Sequence, residues 1–535
     1  MKLFILAIII FISATSVLAL PANSDDYGNV TLKAKFYGCN YVNRPVVKAI
    51  CSHDFIEVKK LIDNGISPDE TFTFMGCGAE ECIDILTLAT VLQFNDIATY
   101  LLEKGANPKR SIVFQNTPLH AAVISGNIEM VSKFLELGGD MYAEESYYNL
   151  SSLAWIAASD EMKIEKKKEI LKIFLKKNAN LNQASNDGRT ILEMAVSQPD
   201  DEVELTEILL DNNANPNRKS NSGWTPLLRA ALFYKLSHFK ALLKHGAEIN
   251  ISKDGKFTAL CGPTSVMGFW TEEERAYTND FYHTIISAGF KLLDTPCDSG
   301  GTTPLMNLVN NGVSLNLIRD LISHGANLNA LDSRGLTAIM YPFFFQSNYS
   351  QGRVNAAKII IDAGADLNIR SDAMSALMLA SDSYSYAEYG EYLVDAGAYL
   401  DFVNDQGKSA LLLCLFQEST SALRKLAIKL IRAGANLEFQ STSLFQYTAI
   451  HLAAMDSSSE VLREIILRGD NVNRQTPYDS TPLMLAAKHD NLENVKLLIE
   501  NGALVNIRDV YKKTALFYAE SESIKRIIQT AGGIM

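Results

Sequence analysis

Thr481-Pro482-Leu483-Met484-Leu485-Ala486-Ala487, a polar break, then Val495-Lys496-Leu497-Leu498-Ile499 and a closing Gly502-Ala503: this stretch decides the fold. The same sentence runs from Thr117-Pro118-Leu119-His120 to Gly138, and from Thr225-Pro226-Leu227-Leu228 to Gly246-Ala247. Looser copies bring the total to thirteen or fourteen between Arg44 and the C-terminus, at a spacing of roughly 33 to 43 residues. A unit this short cannot bury its apolar face alone and must stack on its neighbours. The expectation is an all-α solenoid of helix-turn-helix units joined by hairpin-like loops, an array filling residues 44–533. Stacked units make a long surface rather than an enclosed pocket.

Each part of the sentence has a physical reason. The Thr hydroxyl can accept from a free N–H of the first helical turn, and Pro at the first helical position lacks a donor that had no partner there. Two places after the His/Met position stands a small residue that lets helices approach closely: Ala89, Ala122, Ala195, Ala230, Ala380, Ala453, Ala486 and Ala519. The second helix is apolar at helical spacing. It stops at a Gly suited to the left-handed conformation, as at Gly65, Gly105, Gly325 and Gly434. Tracts such as Asn186-Asp187-Gly188 and Asp332-Ser333-Arg334-Gly335 supply the turn leading to the next unit.

These motifs resemble the ankyrin repeat, whose pattern is Thr-Pro-Leu-His-x-Ala-Ala, a Val-x-x-Leu-Leu helix and Gly-Ala-Asp/Asn. The resemblance covers about nine-tenths of the chain, and it is the recurrence that makes the signal specific. Departures occur. The fourth copy, Ser151-Ser152-Leu153-Ala154-Trp155-Ile156, has Ile156 at the small position and ends on Asn178; the fifth ends on Asn213. The seventh begins Thr258-Ala259-Leu260-Cys261 and carries extra residues before its second helix.

The first residues bear on where the array works. Met1-Lys2 precedes an apolar run from Leu3 to Ile12 that continues in small and apolar residues to Leu20, and Val17-Leu18-Ala19 satisfies the small-residue cleavage rule. Residues 1–19 are therefore expected to be a signal peptide and 20–43 an N-terminal extension. The mature chain would be periplasmic or secreted, with no integral membrane segment. The alternative is an uncleaved anchor, the run being near the lower length limit for a bilayer span. An exported array of this kind resembles bacterial periplasmic or secreted ankyrin-repeat proteins.

Composition excludes several classes. The net charge is −12, and Lys+Arg number 49 against 61 Asp+Glu, so nucleic acid is a poor partner. The densest basic run, Lys163 to Lys168, is interleaved with Glu165 and reads as a solvated face. Seven cysteines are too few for a disulfide scaffold. Cys39, Cys51, Cys77 and Cys82 cluster early and are candidate disulfide partners, while Cys414 reads as a small core residue. No zinc spacing, nucleophile elbow, phosphate loop or Ca²⁺ loop occurs, so no metal, cofactor or catalytic residue is assigned. His120 and His451 sit at the fourth place of the helix-start motif, where the imidazole belongs to the turn's hydrogen-bond network.

Aromatic residues gather in the middle of the array. Phe269 and Trp270 lie in the insertion 262–280; Tyr341, Phe343 and Phe344 interrupt the ninth copy; Tyr384, Tyr386 and Tyr389 follow in the tenth. Trp224 stands between a hairpin Gly and Thr225. Tyr and Trp give large contact area at low entropic cost, so these nine are candidate partner-binding residues; the competing reading is that the rings cover the core. The function expected is a non-catalytic scaffold that holds another protein on the concave face of an ankyrin array. The alternatives are a secreted effector, toxin or enzyme acting through 262–280, and a structural spacer in the cell envelope.

Overall fold

The computed structural model describes residues 44–72, 83–111, 116–146, 149–159, 162–264, 272–311, 315–343, 350–416, 420–442 and 446–535. Among them the chain forms fourteen successive helix pairs, from Pro45–Cys51 with Phe55–Asp63 to Ala515–Tyr518 with Glu522–Thr530. They fall in two compact units: the described residues up to Asp254 with Thr284–Gly289, and Gly255–His283 with Phe290–Met535.

Within each unit the first helices of successive pairs pack on one another. Ile85–Val91 meets Pro118–Ile124, which meets Ser152–Ala158; in the second unit Ala449–Met455, Pro482–Lys488 and Ala515–Tyr518 do the same. The approach depends on the small position, and all eight of its alanines are buried. Ile156, at the same place in the fourth pair, is also wholly buried.

The helix starts share one geometry. The side chain of Asp84, Thr117, Ser151, Thr190, Thr225, Thr303, Ser375 or Thr481 accepts from the backbone N–H three residues on, at 2.6–3.4 Å. The residue at that third position often completes the box with a soft or aromatic acceptor. His120 Nδ1 accepts from Thr117 N at 3.2 Å, Met306 Sδ from Thr303 N at 3.4 Å, and Met484 Sδ from Thr481 N at 3.5 Å. Cys261 Sγ does so for Thr258 N at 3.4 Å. The residue varies while its role in satisfying an orphan donor stays the same.

Helix ends are equally regular. Gly502 stops its helix at φ +89°, and where Asn replaces Gly the conformation persists, φ +65° at Asn213 and +57° at Asn178. The two Asn departures therefore preserve the left-handed stop. Beyond it, the Asn-x-Asn pair divides the labour. The first Asn folds its own turn, Asn471 Oδ1 accepting from Asn473 N at 2.9 Å. The second clamps the next pair: Asn473 Oδ1 accepts from Leu504 N at 2.7 Å and its amide donates to Gly502 O at 3.2 Å. Asn217 bridges to Glu248 N and Gly246 O in the same way, at 2.8 and 3.0 Å. Hairpin loops add backbone rungs, such as Asn221 N to Asp187 O at 3.0 Å and Ser333 N to Gly300 O at 2.7 Å.

Three irregularities depart from the sequence reading. Most second helices span nine residues, but that of the seventh pair is Glu272–Ser287. Part of the expected insertion 262–280 is thus a lengthened helix, while its first helix shrinks to Cys261–Thr264. Cys261 is bonded to Cys297, with Cα atoms 5.1 Å apart, a pairing between two cysteines outside the four expected to pair. Lys167, in the run that read as a solvated face, is fully buried and pairs with Glu202 at 2.6 Å. Cys51 is also disulfide-bonded, whereas Cys39, Cys77 and Cys82 lie outside the described residues. Cys414 is a buried free thiol, pushed up to about 12 by burial.

Candidate interaction surface

Among the described residues no group of three or more His, Cys, Asp or Glu is arranged to hold a metal ion. Three buried histidines, His120, His238 and His451, serve the fold. His451 Nδ1 meets the Thr448 hydroxyl at 2.8 Å, and its Nε2 lies 3.0 Å from Arg474 O. His238 sits between Thr206 Oγ1 at 2.8 Å and Pro199 O at 3.0 Å. Burial lowers the pKa of all three of His120, His238 and His451, to about 4 for His120 and His451.

The candidate aromatic residues separate into two groups. Tyr341, Phe343, Tyr386 and Tyr389 are buried. Tyr386 OH donates to Pro342 O at 2.6 Å and Tyr389 OH to Ile339 O at 2.9 Å. Phe343 packs edge-on against Tyr386, ring centroids 4.9 Å apart. Tyr341 OH donates to buried Asp332 at 3.1 Å, and burial raises its pKa. The ninth pair opens on a 3₁₀ turn, Ala338–Phe343, with Pro342 inside it. An ordinary helix there would satisfy its own carbonyls; here the tyrosines of the tenth pair cap two of them. Their rings cover a gap in the core and offer a partner little surface. Tyr384 is 65% exposed. Trp224 is half-buried, with Arg229 Cζ 5.0 Å and Lys253 Nζ 5.5 Å from its ring centroid. Arg229 in turn pairs with buried Glu193 at 2.9 Å. Phe269, Trp270 and Phe344 lie outside the described residues.

A more exposed aromatic surface lies where the sequence reading did not look, in the last three pairs. Tyr447, Tyr478, Tyr511 and Tyr518 line a groove of about 250 Å³ with Ser480, Met484, Leu485, Lys488 and Asp509. These residues come from hairpins and first helices, never from second helices. Neighbouring hairpins are locked by Val510 N donating to Tyr478 O at 3.2 Å. Asp509, buried at the groove floor, accepts from Tyr511 N and Lys513 N at 2.9 Å each and from the Tyr518 hydroxyl. Burial and that carboxylate push Tyr518 up to about 12. Lys513 Nζ lies 4.0 Å from the Phe517 ring centroid, and Tyr511 is 68% exposed. The signal was in the sequence: Tyr478 and Tyr511 each stand three places before a helix-start Thr, and Tyr447 one place before, like Trp224.

Comparison with known proteins agrees with the architecture. Family models described as ankyrin repeats match residues 151–253, 423–509 and 450–530, and a further ankyrin-repeat model matches 95–135. The chain is similar to human ankyrin repeat and SOCS box protein 6, 32% identical over 133 residues, which is 24% of this chain and 30% of that protein. It is similar to protein glp-1 of Caenorhabditis elegans, 28% identical over 206 residues, 37% of this chain and 15% of glp-1. It also resembles alpha-latrotoxin-Lg1a of Latrodectus geometricus, 37% identical over 82 residues, 15% of this chain and 6% of the toxin. The chain spans less than a third of the length of each of these relatives. The repeated helix pairs, their left-handed stops and these matches make it an ankyrin-repeat protein.

Proposed function

We propose that the protein is an exported, non-catalytic scaffold that holds another protein against the hairpins and first helices of its last three pairs. The observation that carries this reading is the tyrosine groove of Tyr447, Tyr478, Tyr511 and Tyr518, partly exposed rings on a rigid framework. Rings held by hairpin backbone bonds lose little entropy on contact, which is what interface anchors need. An interface of ordinary size, roughly 1,200–2,000 Å² in total, would extend over several pairs. Trp224 and Tyr384 are secondary candidates. Export is supported by the apolar run Leu3 to Leu20 and by the Cys261–Cys297 disulfide, since such bonds persist in oxidising compartments.

The test is a photo-cross-linking residue placed at Tyr511 in the native host, with Gln529 on the last helix as control. One discrete adduct from Tyr511 and none from Gln529 is the expected result; equal or no labelling from both sites counts against the scaffold. N-terminal sequencing of the recovered chain tests the leader, and a cytosolic chain beginning at Met1 would contradict export.

A further inference from the structure

Resting on that reading, we propose that the C-terminal groove takes an acidic peptide segment of the partner, one bearing an apolar side chain among Asp and Glu residues. The tyrosine rings supply apolar contact and the cations set the sign. Lys488 lines the groove and forms no ion pair among the described residues. Lys513 rests on Phe517 at 4.0 Å and on Tyr518 at 5.8 Å, without a carboxylate partner among the described residues, and neighbouring Lys512 is exposed. Asp509 is the one acid among the lining residues, and its oxygens are engaged by two backbone N–H groups and the Tyr518 hydroxyl. Some lysines elsewhere are satisfied by a carboxylate of their own helix, as in Lys496 with Glu493 at 2.7 Å and Lys525 with Glu522 at 2.9 Å.

A cationic ligand is the natural competitor, because tyrosine clusters also attract ammonium groups. Here the Phe517 and Tyr518 faces are already occupied by Lys513, and Lys488 would repel a second cation. Carboxylates meet neither obstacle: ammonium groups bind them, and an apolar neighbour covers Leu485 and the rings.

The test pans a phage-displayed library of short random peptides on the full chain. Enrichment of Asp and Glu around an aromatic or aliphatic residue is expected. A selected peptide should lose roughly tenfold or more in affinity when Lys488→Glu is combined with Lys513→Glu, should keep its affinity with Lys488→Arg, and should weaken with salt. Circular dichroism melts of both variants check that the fold persists. Selection of neutral or basic peptides, or equal affinity for a single-stranded oligonucleotide, would overturn the proposal. So would an empty selection. If Tyr511 still cross-links a protein in that case, the acidic preference fails and the scaffold stands; if it does not, both fail.

Discussion

At the scale of single residues, the third position of the first helix carries most of the chemistry that was legible in advance. Its His was expected to serve the turn, and His120 and His451 do so through Nδ1. Less visible was that Met306, Met484 and Cys261 take the same post with sulfur, because neither a thioether nor a disulfide sulfur looks like a cap. This equivalence yields a pH prediction. Both imidazoles titrate near 4 when folded against 6.5 as the ordinary value. The unfolded chain therefore binds protons first. The stability these groups contribute is complete above about 6.5, falls as pH drops towards 4, and is level below. The loss is on the order of 3 kcal/mol per histidine. His451→Met, copying Met484, should flatten the fall measured by urea unfolding between those pH values; an unchanged slope would show that the buried imidazole is not its source. Asn473 offers a second test. Asn473→Asp keeps the acceptor for Leu504 N but removes the donor to Gly502 O, and should cost about 1 kcal/mol in thermal or urea unfolding.

At the scale of elements, repeating pairs were readable because each obeys the same periodicity and punctuation. The irregular ones were not, because their compensation comes from elsewhere in the chain. The break at Tyr341–Phe343 left open whether its rings meet a partner or cover the core; it is a 3₁₀ turn, Ala338–Phe343, two of whose carbonyls are met by Tyr386 and Tyr389 a whole pair away. Lys167 looked solvated because the helix pattern says nothing of the 3₁₀ turn Asp200–Glu202 that brings Glu202 to it. The shortened helix Cys261–Thr264 is tied to Cys297 across a separation of 36 residues. A loop of that size constrains the unfolded chain by about 3–4 kcal/mol. Cys297→Ser should lower the melting temperature; an unaltered melt would mean the bond staples nothing. At the regular positions the small alanine is the vulnerable one, and Ala486→Trp should cost about 1–3 kcal/mol or more by overpacking.

At the scale of the whole molecule, the two compact units each build a continuous core from nearest-neighbour contacts, as repeat architectures do. That arrangement separates framework from recognition: second helices and the small positions hold the stack, while hairpins and first-helix faces are free to differ. The central claim is that recognition uses the latter near the C-terminus. Hydrogen exchange of the full chain, alone and with the protein captured through Tyr511, tests it most directly. Added protection should appear in residues 476–488 and 509–518 and be absent from Leu492–Glu500 and Glu522–Thr530. Protection confined to those second helices, or none in either hairpin, would contradict the account.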